Sequence, residues 1–124
     1  MVHAKHLERL SSERLQGKRV LELGSGCGVL GIAAAFLGAQ VTMTDRPEVI
    51  SSLEACVRCN SPFPFTAPAV EALDWTMQQS PLFEESFDIV LAADVVWLSD
   101  LVDPLIATMA RTQPLFLCSE GFYP

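Results

Sequence analysis

The stretch LELGSGCGVLG, residues 21–31, places glycines at 24, 26, 28 and 31 directly behind an apolar run. Glycine loses more backbone freedom on folding than any other residue, so glycines this dense need a reason. The reason that fits is a turn with a ligand against its main chain, a phosphate or another molecule. On one side, RVLEL (19–23) reads as a buried strand. On the other, VLGIAAAFLGA (29–39) reads as a helix that is apolar on nearly every face and ends at Gly38. Strand, glycine turn and helix form one unit around which the rest of the chain must be arranged.

The pattern recurs downstream. QVTMTD (40–45) alternates like a second strand and stops at an acid, and Pro47 suits the first turn of a helix over 48–60. SPFPFTAP (61–68) is a proline-rich loop, and AVEALDW (69–75) a short third strand with a polar end. Residues 76–86 read as a surface loop. FDIVLAADVVW (87–97) is the most strand-like run, 98–111 reads as a helix, and PLFLCSE (114–120) begins a fifth strand. Residues 4–15, with Leu7, Leu10 and Leu15 among charges, suit an opening amphipathic helix closed at Gly17. Alternation of this kind predicts an α/β, Rossmann-like, doubly wound and mostly parallel sheet, ordered 3-2-1-4-5, in a single domain over 1–124. In such sheets ligands sit beyond the carboxyl ends of the strands where strand order reverses. The glycine turn, Asp45 and Asp94 are therefore expected to meet.

Composition narrows the function classes. Half of the 124 residues are hydrophobic and the mean hydropathy is +0.32, enough for a core. The longest apolar run, 87–98, is broken by Asp88 and Asp94 and is too short for a bilayer, which needs roughly 20 residues. A net charge of −7 argues against a general nucleic-acid binder. Residues 61–124 carry Arg111 as their one basic residue against nine acids, which suits either solubility or a field that attracts a cationic substrate. No basic-then-apolar leader follows Met1, and the four cysteines show no disulfide framework, so the expectation is reduced thiols in the cytoplasm, with the nucleus also open.

The ligand of the turn has two readings. Gly26-x-Gly28-x-x-Gly31 matches a dinucleotide fingerprint, with Asp45 as the ribose-binding acid. The other register begins with an acid on the strand: Glu22-x-Gly24-x-Gly26-x-Gly28. A carboxylate beside a pyrophosphate is repelled and desolvated to no purpose. A ligand with an ammonium group and a sulfonium, such as S-adenosylmethionine, welcomes it.

At these residues the sequence resembles a known family. VLELGSGCGVLGIAAAFLGAQVTMTD is similar to motif I and the following acidic motif of class I, seven-strand S-adenosylmethionine-dependent methyltransferases. VTMTD (41–45), LDW (73–75) and FDIVLAADVVW (87–97) narrow the resemblance to the methyltransferase-like protein-lysine methyltransferases, over roughly residues 5–120. The resemblance implies S-adenosyl-L-methionine as cofactor and a protein substrate with a target lysine. It implies that Gly24, Ser25, Gly26, Cys27 and Gly28 cradle the methionine part and ribose, with Glu22 near the ammonium group. Asp45 would take the ribose hydroxyls, Arg46 would flank the adenine and Trp75 would lie against it. Ala93 falls among the cofactor-binding positions. Asp94 would face the substrate, orienting the amine and stabilising charge that appears on its nitrogen.

The sequence departs from that pattern in three places. Trp97 stands where a tyrosine is usual, keeping an aromatic wall that can hold a cation by its π face. The upstream tryptophan segment and the strands after strand 5 are missing from the pattern, so the chain is expected to be a fragment or truncated form with an open edge at strand 5. Two further readings of function follow: an inactive chain that binds cofactor or a partner, and a methyltransferase acting on a non-lysine or small-molecule nitrogen. A nicotinamide-dependent oxidoreductase is the outsider. Cys56-x-x-Cys59, placed mid-helix with no second ligand pair, is read as structural rather than as a zinc site, and His3 and His6 as solvated; no metal is expected.

Overall fold

The computed structural model describes residues 12–77, 79–92, 103–104, 106–108 and 115–118. In chain order these give α1 (Ser12–Leu15), β1 (Arg19–Leu23), α2 (Val29–Phe36), β2 (Gln40–Asp45), a 3-10 turn (Pro47–Val49), α3 (Ile50–Cys59), β3 (Ala69–Ala72), a second 3-10 turn (Pro81–Glu84), β4 (Ile89–Ala92) and β5 (Leu115–Cys118). Residues 103–104 and 106–108 are helical, within the span expected to be a helix. Among the described residues no helix is long and apolar enough to cross a membrane.

The strands form one sheet ordered β3-β2-β1-β4-β5, and every pairing is parallel. This is the expected order. A parallel sheet is covered on both faces, which is why its strands read as near-continuous apolar runs. The pleat divides β1 between two cores. Val20 joins Val41, Met43, Ile89 and Leu91 beneath Leu30, Ile32, Ala34 and Ala35 of α2 and Leu53 of α3. Leu21 and Leu23 join Val90, Ala92, Leu73, Leu82 and Phe87 on the opposite face.

Four expectations are corrected. The stretch 76–86 is not simply a surface loop: Leu82 is fully buried in the second core, on a 3-10 turn that starts at Pro81 and is capped by Ser80, whose Oγ accepts the Leu82 N–H at 3.1 Å. Two apolar residues among polar neighbours are enough to pull that turn onto the sheet. The helix expected over 48–60 opens as a 3-10 turn and becomes α-helical at Ile50, with Pro47 in the first turn as expected. Helix α2 stops at Phe36 rather than at Gly38, and the third strand stops at Ala72, although the Leu73 N–H still reaches the Asp45 carbonyl at 2.9 Å.

The amino ends of β1 and β4 are fastened by Arg19. Its backbone N–H donates to Asp88 Oδ2 at 2.8 Å, and its guanidinium donates to the Ser86 carbonyl at 2.7 Å and Glu85 Oε1 at 2.9 Å while lying 5.1 Å from the Phe87 ring centroid. This leaves the opposite, carboxyl ends of the strands for the glycine turn.

Candidate functional site

The turn after β1 runs through three left-handed glycines, Gly24 (φ 66°), Gly26 (φ 58°) and Gly28 (φ 83°). It closes on itself where the Gly28 N–H donates to the Ser25 carbonyl at 2.8 Å, and α2 begins behind it with no side-chain cap. The glycines are bare for two different reasons. A Cβ at Gly28 would lie 2.6 Å from Met43 Cε, and one at Gly31 would lie 2.6 Å from Glu22 Oε1 and 2.7 Å from Met43 Cγ. Those two let α2 approach the sheet. A Cβ at Gly26 would meet nothing within 4 Å among the described residues.

Two consecutive residues of β2 hold the turn. Thr44 accepts the Ser25 N–H on its carbonyl at 2.9 Å, and its hydroxyl donates to the Glu22 carbonyl at 2.6 Å. Asp45 accepts the Gly26 N–H on Oδ2 at 2.8 Å and the Arg46 N–H on Oδ1 at 2.7 Å. Asp45 thus links the glycine turn to the start of the 3-10 turn that follows β2. An ionised carboxylate has about four acceptor positions, so two bonds leave it capacity for more.

Glu22 is 3% exposed and Ser25 8% exposed, and among the described residues neither Glu22 Oε1 nor Ser25 Oγ has a hydrogen-bond partner. Burial pushes the Glu22 carboxyl up to about 7, and the negative Asp45 adds to the rise; the Ser25 hydroxyl and Gly31 N–H oppose it, without reaching Oε1 as hydrogen bonds. Buried polar atoms are almost always satisfied, so two orphans within three residues of one turn call for an additional group. A donor group, and a cation above all, fits them; a phosphate does not.

The loops after β2 and β3 meet beside this turn. Trp75 is partly buried and packs against the core that contains Leu21 and Leu23. Arg46 is exposed, with Nε 3.9 Å from Glu48 Oε2. Asp74 was not singled out from the sequence, although it lies inside the LDW motif. Its Oδ1 accepts the Thr76 N–H and hydroxyl, and these bonds, with a smaller contribution from the Arg46 charge, hold its carboxyl below the usual range. Cys27 is an exposed thiol in the turn. Cys56 packs against the first core, and Cys59 is exposed at the last residue of α3, so the pair lies at the end of the helix and not mid-helix. Among the described residues no cluster of His, Cys, Asp or Glu could hold a metal. The structure therefore brings together the turn from Gly24 to Gly28 and Asp45 at the end of the Glu22 strand, with Arg46 next to Asp45, while Trp75 packs against the core of Leu21 and Leu23. Ala93, Asp94 and Trp97 lie outside the described residues.

The mouse (Mus musculus) protein N-lysine methyltransferase METTL21A is 37% identical over 114 residues, covering 90% of this chain and 50% of the relative. The EEF1A lysine methyltransferase 3 of Xenopus tropicalis is 41% identical over 98 residues, covering 76% of this chain and 41% of the relative. The chain thus spans about half the length of the relatives it matches. Among solved structures, the magnesium protoporphyrin IX methyltransferase of Synechocystis PCC 6803 with bound S-adenosylmethionine superposes with a TM-score of 0.67 at 20% identity, covering 90% of this chain and 50% of the other, which shows the shared fold. The sequence profile of one family, described as lysine methyltransferase, matches residues 1–115. With this match and the parallel sheet behind it, the chain belongs to the lysine methyltransferase family.

Proposed function

We propose that the glycine turn holds S-adenosylmethionine and that the protein transfers a methyl group to a lysine side chain of a protein substrate. The observation that carries this reading is the buried Glu22 Oε1, without a hydrogen-bond partner among the described residues, at the end of the strand that leads into the glycine turn. An ammonium group would satisfy Glu22 and restore its charged form, and the Ser25 hydroxyl is available to the same ligand. The open space at Gly26 admits a ligand against the main chain. Asp45, held rigid by two backbone N–H groups, keeps acceptor capacity for a pair of hydroxyls. Arg46, Asp74 and Trp75 offer charge, an acceptor and a ring face where a base would lie.

When bound, the cofactor supplies a methyl group already activated for in-line displacement, so the task of the chain is to position the reactants. Asp94, assigned from the resemblance, orients the incoming amine, and Trp97 gives it an aromatic wall. Support for lysine as acceptor comes from family membership and from relatives whose own names specify lysine.

The test is methyl transfer. The purified chain, given methyl-labelled S-adenosylmethionine and a protein extract, should label proteins whose hydrolysates contain methyl-lysine. Label on arginine or histidine instead, or no transfer by a chain that binds cofactor, would contradict lysine methylation.

A further inference from the structure

Thr44 is the penultimate residue of β2 and has no exposed surface. Burying a hydroxyl is costly unless it is hydrogen-bonded. Here it donates to the Glu22 carbonyl at 2.6 Å, while the Thr44 carbonyl accepts the Ser25 N–H at 2.9 Å. One residue therefore grips the chain on both sides of Leu23 and Gly24, where β1 ends and the backbone turns left-handed. The next residue, Asp45, grips the turn at Gly26. The Glu22–Met43 pairing is the last of the β1–β2 register, so these bonds fasten the two strands just beyond it. The carbonyl that Thr44 holds belongs to the residue whose Oε1 has no partner among the described residues.

We infer that Thr44 is a positioning residue: its hydroxyl, acting through the Glu22 carbonyl, sets the separation between the Glu22 carboxyl and the Asp45 carboxylate that the cofactor must bridge. The inference rests on the cofactor reading proposed above. It assigns Thr44 no contact with the ligand. The spacing matters because a ligand that engages both acids at once loses affinity when either is displaced.

Thr44→Val keeps the shape of the side chain and removes the hydroxyl. In the full 124-residue chain, calorimetric titration with S-adenosylhomocysteine should show a Kd raised about tenfold, equivalent to ~1.4 kcal/mol. The thermal midpoint of the ligand-free protein should move by less than about 4 °C, the scale of 1 kcal/mol or less in a domain of this size. Thr44→Ser, which keeps the hydroxyl, should bind within about twofold of the wild type, a difference of ~0.4 kcal/mol. A purely structural role would shift the midpoint and leave the Kd of the folded protein alone. If the valine variant does not fold, Thr44→Ala replaces it: alanine and serine have both lost the methyl and differ only in the hydroxyl. Wild-type affinity in the variant without the hydroxyl, or equal weakening in the serine variant, would overturn the inference while leaving the cofactor reading standing. A folded wild-type chain that does not bind would overturn both.

Discussion

The carboxylate of Asp45 accepts the N–H of Gly26 at 2.8 Å, joining two residues 19 apart in sequence across the carboxyl ends of β1 and β2. An acid that serves a turn in this way both builds the site and remains available to a ligand. Asp45→Ala should therefore abolish measurable S-adenosylhomocysteine binding in titration. The loss of two charge-assisted bonds should also lower stability by about 2–4 kcal/mol in denaturant unfolding.

The glycines should separate by role. Gly26→Ala has open space and costs only its left-handed backbone, about 1–2 kcal/mol. It should still eliminate cofactor binding, because the methyl occupies the open surface. Gly31→Ala drives a methyl against Glu22 and Met43 and should destabilise by about 1–3 kcal/mol through overpacking. Thermal unfolding and titration of both variants give the comparison; equal binding losses at equal stability would contradict the division.

Glu22 gives the site a pH dependence with a definite sign. Its carboxyl is raised from an ordinary value near 4.5 to about 7 in the folded chain. The folded state therefore holds its proton when the unfolded state has lost it, and stability falls as pH rises from about 4.5 to about 7, with the cost complete above that. Between about pH 5 and 8 the ligand-free wild type should lose roughly 2–3 kcal/mol relative to Glu22→Gln, measured by urea unfolding. The cationic ligand should bind more tightly over the same rise in pH, because it stabilises the charged carboxylate. In Glu22→Gln that dependence should be absent.

Arg19 is the control at the other end of the sheet. Arg19→Ala removes its contacts with Ser86, Glu85 and Phe87, in a half-exposed setting where an ion pair contributes little. It should cost about 1 kcal/mol in stability. The Kd for S-adenosylhomocysteine should not change.

Asp94→Asn, by contrast, should leave that Kd within about threefold, or ~0.7 kcal/mol, and lower methyl transfer by at least a hundredfold, roughly 2.7 kcal/mol in activation free energy. Single-turnover transfer with labelled cofactor reads the difference.

The sheet order was legible because strand and helix periods alternate and both faces of β1 are apolar. Glu22 stood out as the one acid in the strand RVLEL. Other features depend on distant partners. Leu82 sits in a short segment without strand or helix periodicity, and the cluster it joins is built from the distant Leu21, Val90 and Phe87. The pairing of Arg19 with Asp88 spans 69 residues. The role of Thr44 follows only when β2 lies beside the end of β1, since its hydroxyl bonds a residue 22 positions away. Asp74 was visible within LDW but unremarkable until the loop after β3 came to lie beside Arg46.

The central claim is that the glycine turn is a cofactor cradle. Calorimetric titration of the purified chain with S-adenosylhomocysteine at neutral pH, with NAD and Asp45→Ala as controls, tests it most directly. The account predicts micromolar binding of S-adenosylhomocysteine that the Asp45 variant loses and no binding of NAD. A folded chain that binds NAD, or that ignores S-adenosylhomocysteine, would contradict it.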